Sequence, residues 1–464
     1  MSCGLGSPIG RERPPPMNRY ATALILALAL APRAPAADPE ALIVIAGDQH
    51  SAYERTAQVV AAVDRLKAGH PGVPIAILLD GDTLEYGNVV ARRSNGAVDF
   101  AMFAALARRA PTVVNLGNHE TEFADLAATV ARIEATGARV VTNIGDRSTG
   151  HPAAPSSLRL PLGQREALVI GVSTDDLSTY RAAVRPSLDL ADPIAWAKAK
   201  FPALLVGAPV TIVLSHAGLK ADRGMLPLVR DGTLFVGAHD HLRFVQSFGR
   251  TVYVHSGSWN TCLTLAWLGR SASGATQWDV EQVPVSDEGP RDAELAALIR
   301  ETRAKYLEPA DRDVVAHLPA PLAPPEAARE VVAAFRRGAD VDAAFIGNTT
   351  FGGGLPAGDV TRETFNSCVR FDGTVFVADV AGARLRQLLA AANQGPDTPF
   401  DQRGGEFLVA NGLATIDDGK VYRIATTDWC AKNSQRYFGE PAIEWRQQSG
   451  STLKQIALSA LARQ

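Results

Sequence analysis

TVVNLGNHETEF, Thr112–Phe123, is the stretch on which the reading of this chain turns. Its first half is apolar and β-branched, the composition of a strand buried on both faces. Its second half sets Asn118, His119, Glu120 and Glu122 just past the end of that strand. Alone, this is as well read as a polar turn that contains a histidine. The other strand-like runs decide between the two.

Each of those runs ends the same way. ALIVIAG (41–47) is followed by Asp48-Gln49-His50, PIAILLD (74–80) by Gly81-Asp82, VTIVLS (210–215) by His216, and TLFVGA (233–238) by His239-Asp240-His241. Amphipathic helical patterns lie between them, among them AYERTAQVVAAVDRLKAG (52–69), VDFAMFAALARRA (98–110) and PIAWAKAKFPAL (193–204). This alternation predicts an α/β domain, in which helices cover a buried sheet and the carboxyl ends of parallel strands open on one crevice. Five of the nine histidines stand at such ends. Carboxylate, amide oxygen and imidazole without thiolate make a ligand set for first-row divalent metals, and it is too rich for one tetrahedral ion. Two ions sharing a carboxylate fit it, with Asp82 as the candidate bridge. Such a pair activates water and neutralises phosphoryl oxygens.

Asp48-x-His50, Gly81-Asp82, Gly117-Asn118-His119-Glu120, His216 and Gly237-x-His239-x-His241 together resemble the five motifs of the calcineurin-like metallophosphoesterases. The layout of the whole chain is similar to the bacterial periplasmic 5′-nucleotidase / UDP-sugar hydrolase family. The resemblance implies a four-layer α/β/β/α domain followed by an α+β C-terminal domain that binds substrate. It implies two divalent transition-metal ions (Mn, Zn, Co, Ni or Fe), one held by Asp48, His50, Asp82 and His241, the other by Asp82, Asn118, His216 and His239. His119 would face the transferring phosphoryl group. Glu122 would be its partner, where the family has aspartate.

Domain limits follow from composition. Residues 1–36 read as an N-terminal extension and signal peptide: Arg19, the apolar run from Ala21 to Ala31, then Ala34-Pro35-Ala36 before a cleavage site. Residues 1–16 precede the signal and stand outside the fold argument. The run is shorter than the roughly 20 residues a membrane span needs, so export to the periplasm or medium is expected, with no stable membrane span. The metal domain is expected over 37–289, a charged helical linker over 290–312, and the substrate domain over 313–464. Cys262, Cys368 and Cys430 are widely spaced, which fits buried thiols better than a disulfide framework; a Cys368–Cys430 bridge is the alternative.

In the last segment the resemblance assigns base stacking to Phe371 and Tyr437, with Asp428 as a further substrate contact, while Arg370 and Arg337 are candidates to replace a phosphate-contacting arginine that the family has and this chain lacks, because a guanidinium forks onto phosphate oxygens. Here the chain departs from the family. Its Asn-Gly-Gly-Gly-Ile-Arg becomes Phe351-Gly352-Gly353-Gly354-Leu355-Pro356, and its Gly-Gly-Asp-Gly becomes Asn433-Ser434-Gln435-Arg436. The expected partner is a small phosphorylated substrate, foremost a nucleoside 5′-monophosphate. A net charge of -3 and a pI near 6.3 give no reason to expect a nucleic-acid polymer. Monomer and dimer stay open. The competing readings are a hydrolase with the same metal site acting on a non-nucleotide ester or thiosulfonate bond, and a non-catalytic periplasmic nucleotide-binding protein.

Overall fold

The computed structural model describes Met1, residues 39–395 and residues 397–462. The expected signal peptide and cleavage site lie outside the described residues. No helix among those described is long and apolar enough to cross a membrane.

Two six-stranded sheets face each other in the first domain. One centres on the parallel strands Ala41–Gly47, Ile75–Asp80, Thr112–Asn115 and Arg139–Val141, with Cys262–Arg270 and Thr276–Pro284 antiparallel at one edge. The other has Arg165–Ser173, Val210–His216, Leu234–Gly237 and Thr251–Ser256 parallel, flanked by antiparallel Ser157–Leu162 and Arg243–Phe248. Successive side chains of a strand point to opposite faces, and the cores follow that period. Ile43 and Ile45 join Leu78, Val169, Ile212 and Val236 between the sheets. Leu42, Val44 and Ala46 instead pack outward, with Val60, Val63 and Phe103 of the helices Thr56–Gly69 and Ala97–Ala107. On the far side, Ile170, Val213 and Phe235 pack against Ala197 and Phe201 of helix Pro193–Leu204. The layers are α/β/β/α, and the continuous apolar runs of the sequence arise because both faces of these strands are buried.

The second domain is a five-stranded sheet in the order Leu408–Asn411, Ala343–Gly347, Val421–Thr427, Thr374–Ala381, Arg446–Thr452. Helices Pro324–Ala339 and Leu453–Leu461 cover one face through Val331, Val332, Phe335 and Leu453. Helix Gly382–Ala391 covers the other through Leu385 and Leu388. Cys262, Cys368 and Cys430 are buried free thiols.

The connecting segment carries the helix Ala293–Tyr306, whose Leu295 and Ile299 pack into the core of the first domain. Arg93 of that domain then holds the Tyr306 carbonyl at 2.7 Å and the Asp311 carboxylate at 2.5 Å. Residues 298–311 are thus fastened to the first domain.

Candidate metal centre

The strand ends meet where the two sheets abut, so the crevice is formed by both sheets. Asp48, Asp82, Asn118 and His119 arrive from the first sheet, and His216, His239 and His241 from the second. All are buried except His119 and His241, which are half-buried. The backbone is bent sharply to bring them in. Asp48 (φ 49), His50 (φ 47), Asp82 (φ 51), His239 (φ 79) and His241 (φ 58) all occupy the left-handed region. Such conformations cost about 1–3 kcal/mol each and gather at functional sites.

Two glycines make the approach possible. A Cβ on Gly81, itself at φ +71, would sit 2.4 Å from His216 Nδ1, and one on Gly117 would sit 2.2 Å from Asp82 Oδ1. Gly117→Ala should therefore keep the circular dichroism of the native protein and lose bound metal and hydrolysis together. Full metal content in that variant would mean that the loop yields more than this packing implies.

At the centre, Asp82 Oδ1 accepts the His119 N–H at 2.8 Å. Its Oδ2 lies 3.0 Å from His216 Nε2 and 4.0 Å from His50 Nε2. That second oxygen thus stands between two groups of donors, Asp48/His50/His241 and Asp82/His216/His239, each with ligand atoms within 4.8 Å of one another. Asn118 Oδ1 adjoins the second group, 3.0 Å from His239 Nδ1. Asp82 would be shared by two divalent cations held there, with Oδ2 facing both groups and Oδ1 also accepting the His119 N–H. The donor set fits divalent cations on local grounds. His216 Nε2 is buried and lacks an aligned hydrogen-bond partner, and two imidazole Nε2 atoms, of His50 and His241, face each other at 2.9 Å. Buried polar groups are seldom left so.

Outer contacts fix these side chains. His216 Nδ1 lies 2.8 Å from the Asp80 carbonyl, which turns Nε2 toward the centre. His50 Nδ1 lies 3.1 Å from Glu85 Oε2, which does the same for His50. The Glu120 carboxylate accepts the N–H groups of Asp82, Thr83 and Gly117, tying two loops together. Trp259 stacks on the His50 ring with centroids 4.4 Å apart. Glu85, fully buried, and Trp259 were not anticipated from sequence. The only trace of Glu85 there is an acid three positions after Asp82, the spacing that also separates Glu122 from His119.

Charge is distributed unevenly. Burial opposes charging His119, but Asp82, Glu85 and Glu122 outweigh it and hold the imidazole well above its usual range. His119 Nδ1 lies 3.1 Å from Glu122 Oε1 and 3.7 Å from Glu85 Oε2, an ion-pair distance to the glutamate that stands at the family's aspartate position, without an aligned hydrogen bond. Burial and neighbouring cationic imidazoles push His50, His239 and His241 well below the usual value, leaving them neutral with lone pairs to give. Burial would raise Asp82, yet His216, His119 and His50 prevail and keep it ionised.

A cavity of about 400 Å³ opens over this centre and is lined on one side by the second domain. Phe371 lines it, with its ring 5.9 Å from that of His119, and Asp428 lines it as well. The other three residues expected to contact substrate lie elsewhere. Tyr437 is behind the wall: its hydroxyl donates to Glu406 and accepts from Trp429 Nε1 at 3.0 Å, and it is Trp429 that faces the cavity. Arg337 lies on the outer side of helix Pro324–Ala339, paired with Glu330 of the same helix. Arg370 is 3 % exposed, with its guanidinium 4.6 Å from the centre of the Trp259 ring, and it borders a different cleft. Glu406, Trp429, Arg181 and Arg185 line the cavity without having been singled out in the sequence.

Family profiles match both domains: calcineurin-like phosphoesterase over residues 41–256, and 5′-nucleotidase, C-terminal domain over residues 327–440. No curated protein sequence matches significantly. Among solved structures, a 5′-nucleotidase precursor from Thermus thermophilus is similar in fold at 18% identity and a TM-score of 0.61, covering 91% of this chain and 96% of its own. The sulfate thiohydrolase SoxB of Thermus thermophilus is similar at 16% identity and a TM-score of 0.65, covering 92% and 95%. The 5′-nucleotidase of Candida albicans is similar at 11% identity and a TM-score of 0.60, covering 92% and 98%. With the strand-end centre and the second domain over its mouth, residues 41–256 form a calcineurin-like phosphoesterase domain and residues 327–440 a 5′-nucleotidase C-terminal domain, the pairing of a metal-dependent phosphoester hydrolase.

Proposed function

We propose that this protein is an exported phosphohydrolase with a dinuclear metal site that releases phosphate from a small phosphorylated substrate, foremost a nucleoside 5′-monophosphate. The observation that carries this is Asp82 Oδ2 standing between two groups of buried N and O donors beneath one cavity. Asp48, His50, Asp82 and His241 would hold one ion, and Asp82, Asn118, His216 and His239 the other. The ions, when bound, lower the pKa of water and neutralise phosphoryl charge. The chain's own residues do the rest. His119, held protonated beside Asp82, Glu85 and Glu122, presents a proton and a positive charge to the phosphoryl oxygens or the leaving alcohol. Phe371 and Trp429 offer two aromatic rings to a base on the second-domain side of the cavity.

His119→Ala should lower kcat by about 10²–10⁴-fold, the range for a general acid, while metal content stays near that of the wild type. An unchanged kcat would remove His119 from the chemistry. The function itself is tested with metal-free protein reconstituted with Mn, Zn, Co or Ni and offered AMP, UDP-glucose, bis(p-nitrophenyl) phosphate and a thiosulfate-type substrate. Metal-dependent phosphate release from AMP is expected. Turnover of the sulfur substrate alone would favour the thiosulfonate reading, and no hydrolysis with any metal would leave a binding protein.

A further inference from the structure

Trp259 of the first domain is held at a local cost. It is 2 % exposed, and its backbone lies in the left-handed region at φ 58, which a bulky side chain rarely adopts. Over its ring stands the guanidinium of Arg370 from the second domain, 4.6 Å from the ring centre. Arg370 is 3 % exposed, and Glu54 of the first domain stands off from it at 4.0 Å. Among the described residues, neither the Trp259 indole N–H nor Arg370 Nε and Nη2 has a hydrogen-bond partner, although all three are buried. Buried donors left so are costly, and here they meet in one contact between the domains.

What Trp259 touches gives that cost a use. Its main-chain N–H donates to the Asp48 carbonyl at 2.8 Å, and its ring centre lies 4.4 Å from that of His50 and, edge-on, 5.5 Å from that of His241. These three residues make up one of the two donor groups. The other is braced separately: His216 Nδ1 lies against the Asp80 carbonyl, and its ring meets that of His239 edge to face at 5.3 Å. Gly352 leaves the room needed, since a Cβ there would stand 2.9 Å from Arg370 Nε and 3.1 Å from the Trp259 ring. A desolvated cation is drawn to the face of a tryptophan more strongly than an exposed one. Resting on the dinuclear reading, we infer that Arg370 and Trp259 are positioning residues. Docking of the second domain, through Arg370, fixes Trp259, and Trp259 fixes Asp48, His50 and His241, so that one of the two ions is held firmly only when that domain is docked.

The test titrates metal-free wild type, Arg370→Met, Arg370→Lys and Trp259→Phe with cobalt(II) by calorimetry, with no substrate present. The wild type should take up two ions. Arg370→Met keeps a long side chain over the ring and loses the charge, so one ion should bind about 10-fold more weakly while the other keeps its affinity. Arg370→Lys should recover part of that loss, because an ammonium still meets the ring. Trp259→Phe should weaken the same ion from the first-domain side. Anomalous diffraction from Arg370→Met loaded with one ion per chain should place that ion among Asn118, His216 and His239. A residue that only packs the domains together would lower thermal stability and leave the two affinities level. Unchanged affinities in the folded variants, equal loss at both ions, or the remaining ion found among Asp48, His50 and His241 overturns the inference, while two ions in the wild type leave the dinuclear site standing. A wild type that binds fewer than two ions takes both down.

Discussion

Asp82→Asn should leave a folded protein with hydrolysis reduced by at least about 10³-fold, because the dinuclear site proposed above would supply several kcal/mol of charge stabilisation that one amide oxygen would not sustain. The side chain is 2 % exposed, and each of its oxygens has a distinct task. Oδ1 holds the His119 N–H at 2.8 Å, and Oδ2 faces His216 and His50. An asparagine that keeps the His119 bond turns an NH₂ toward His216 and the shared position. One that turns its oxygen there loses the His119 bond. Either orientation also removes the anion that neighbours His216 and His119. The measurement is metal stoichiometry with single-turnover phosphate release; near-normal rates at two ions per chain would show that Asp82 is no bridge.

Glu85→Ala is expected to have the second largest effect, a loss of about 10–100-fold in metal affinity, the usual result of removing the carboxylate behind a ligating histidine. Glu85 lies 3.1 Å from His50 Nδ1 and accepts the Gly87 N–H at 2.6 Å, which seats it inside its own loop. Without it the His50 ring keeps only its stacking on Trp259 to orient it. Activity should return in part at high metal concentration, which separates this variant from Asp82→Asn. Glu85→Gln should lie between, since it retains a hydrogen-bonding group and loses the charge. Metal titration of all three proteins decides. Identical affinities in wild type and Glu85→Ala would reduce Glu85 to a packing role.

Much of the fold is legible in the chain because its central strands are buried on both faces. Ala41–Gly47 and Val210–His216 read as unbroken apolar runs for that reason. The edge strands are not. Ser157–Leu162 alternates buried and exposed positions and contains Pro161, and Arg243–Phe248 is mostly exposed, so neither stands out from loop. The ligand candidates are legible because a polar residue at every strand end is a pattern in one dimension. Glu85 and Trp259 are not, because they reach His50 from positions 35 and 209 residues away, through tertiary packing alone. The left-handed turns at Asp48, Asp82 and His239 leave no mark either, since aspartate and histidine tolerate that backbone without requiring it.

On the second-domain wall of the cavity, the structure and the resemblance place different residues. Trp429 and Tyr437 lie eight residues apart on two short helices, Asp428–Lys432 and Ser434–Phe438, and sequence does not say which ring faces the cavity. The structure puts Trp429 in front, bonded through its indole N–H to the tyrosine behind. Arg337 fails for a simpler reason: it belongs to the charged outer stripe of an amphipathic helix whose inner stripe is Val331, Val332 and Phe335.

Anomalous diffraction from crystals of the manganese- or zinc-loaded protein tests the central claim most directly. Two peaks about 3.5–4 Å apart are predicted, one among Asp48, His50 and His241, the other among Asn118, His216 and His239, with Asp82 between them. A single peak, or none at these residues in protein that hydrolyses phosphate esters, would contradict it.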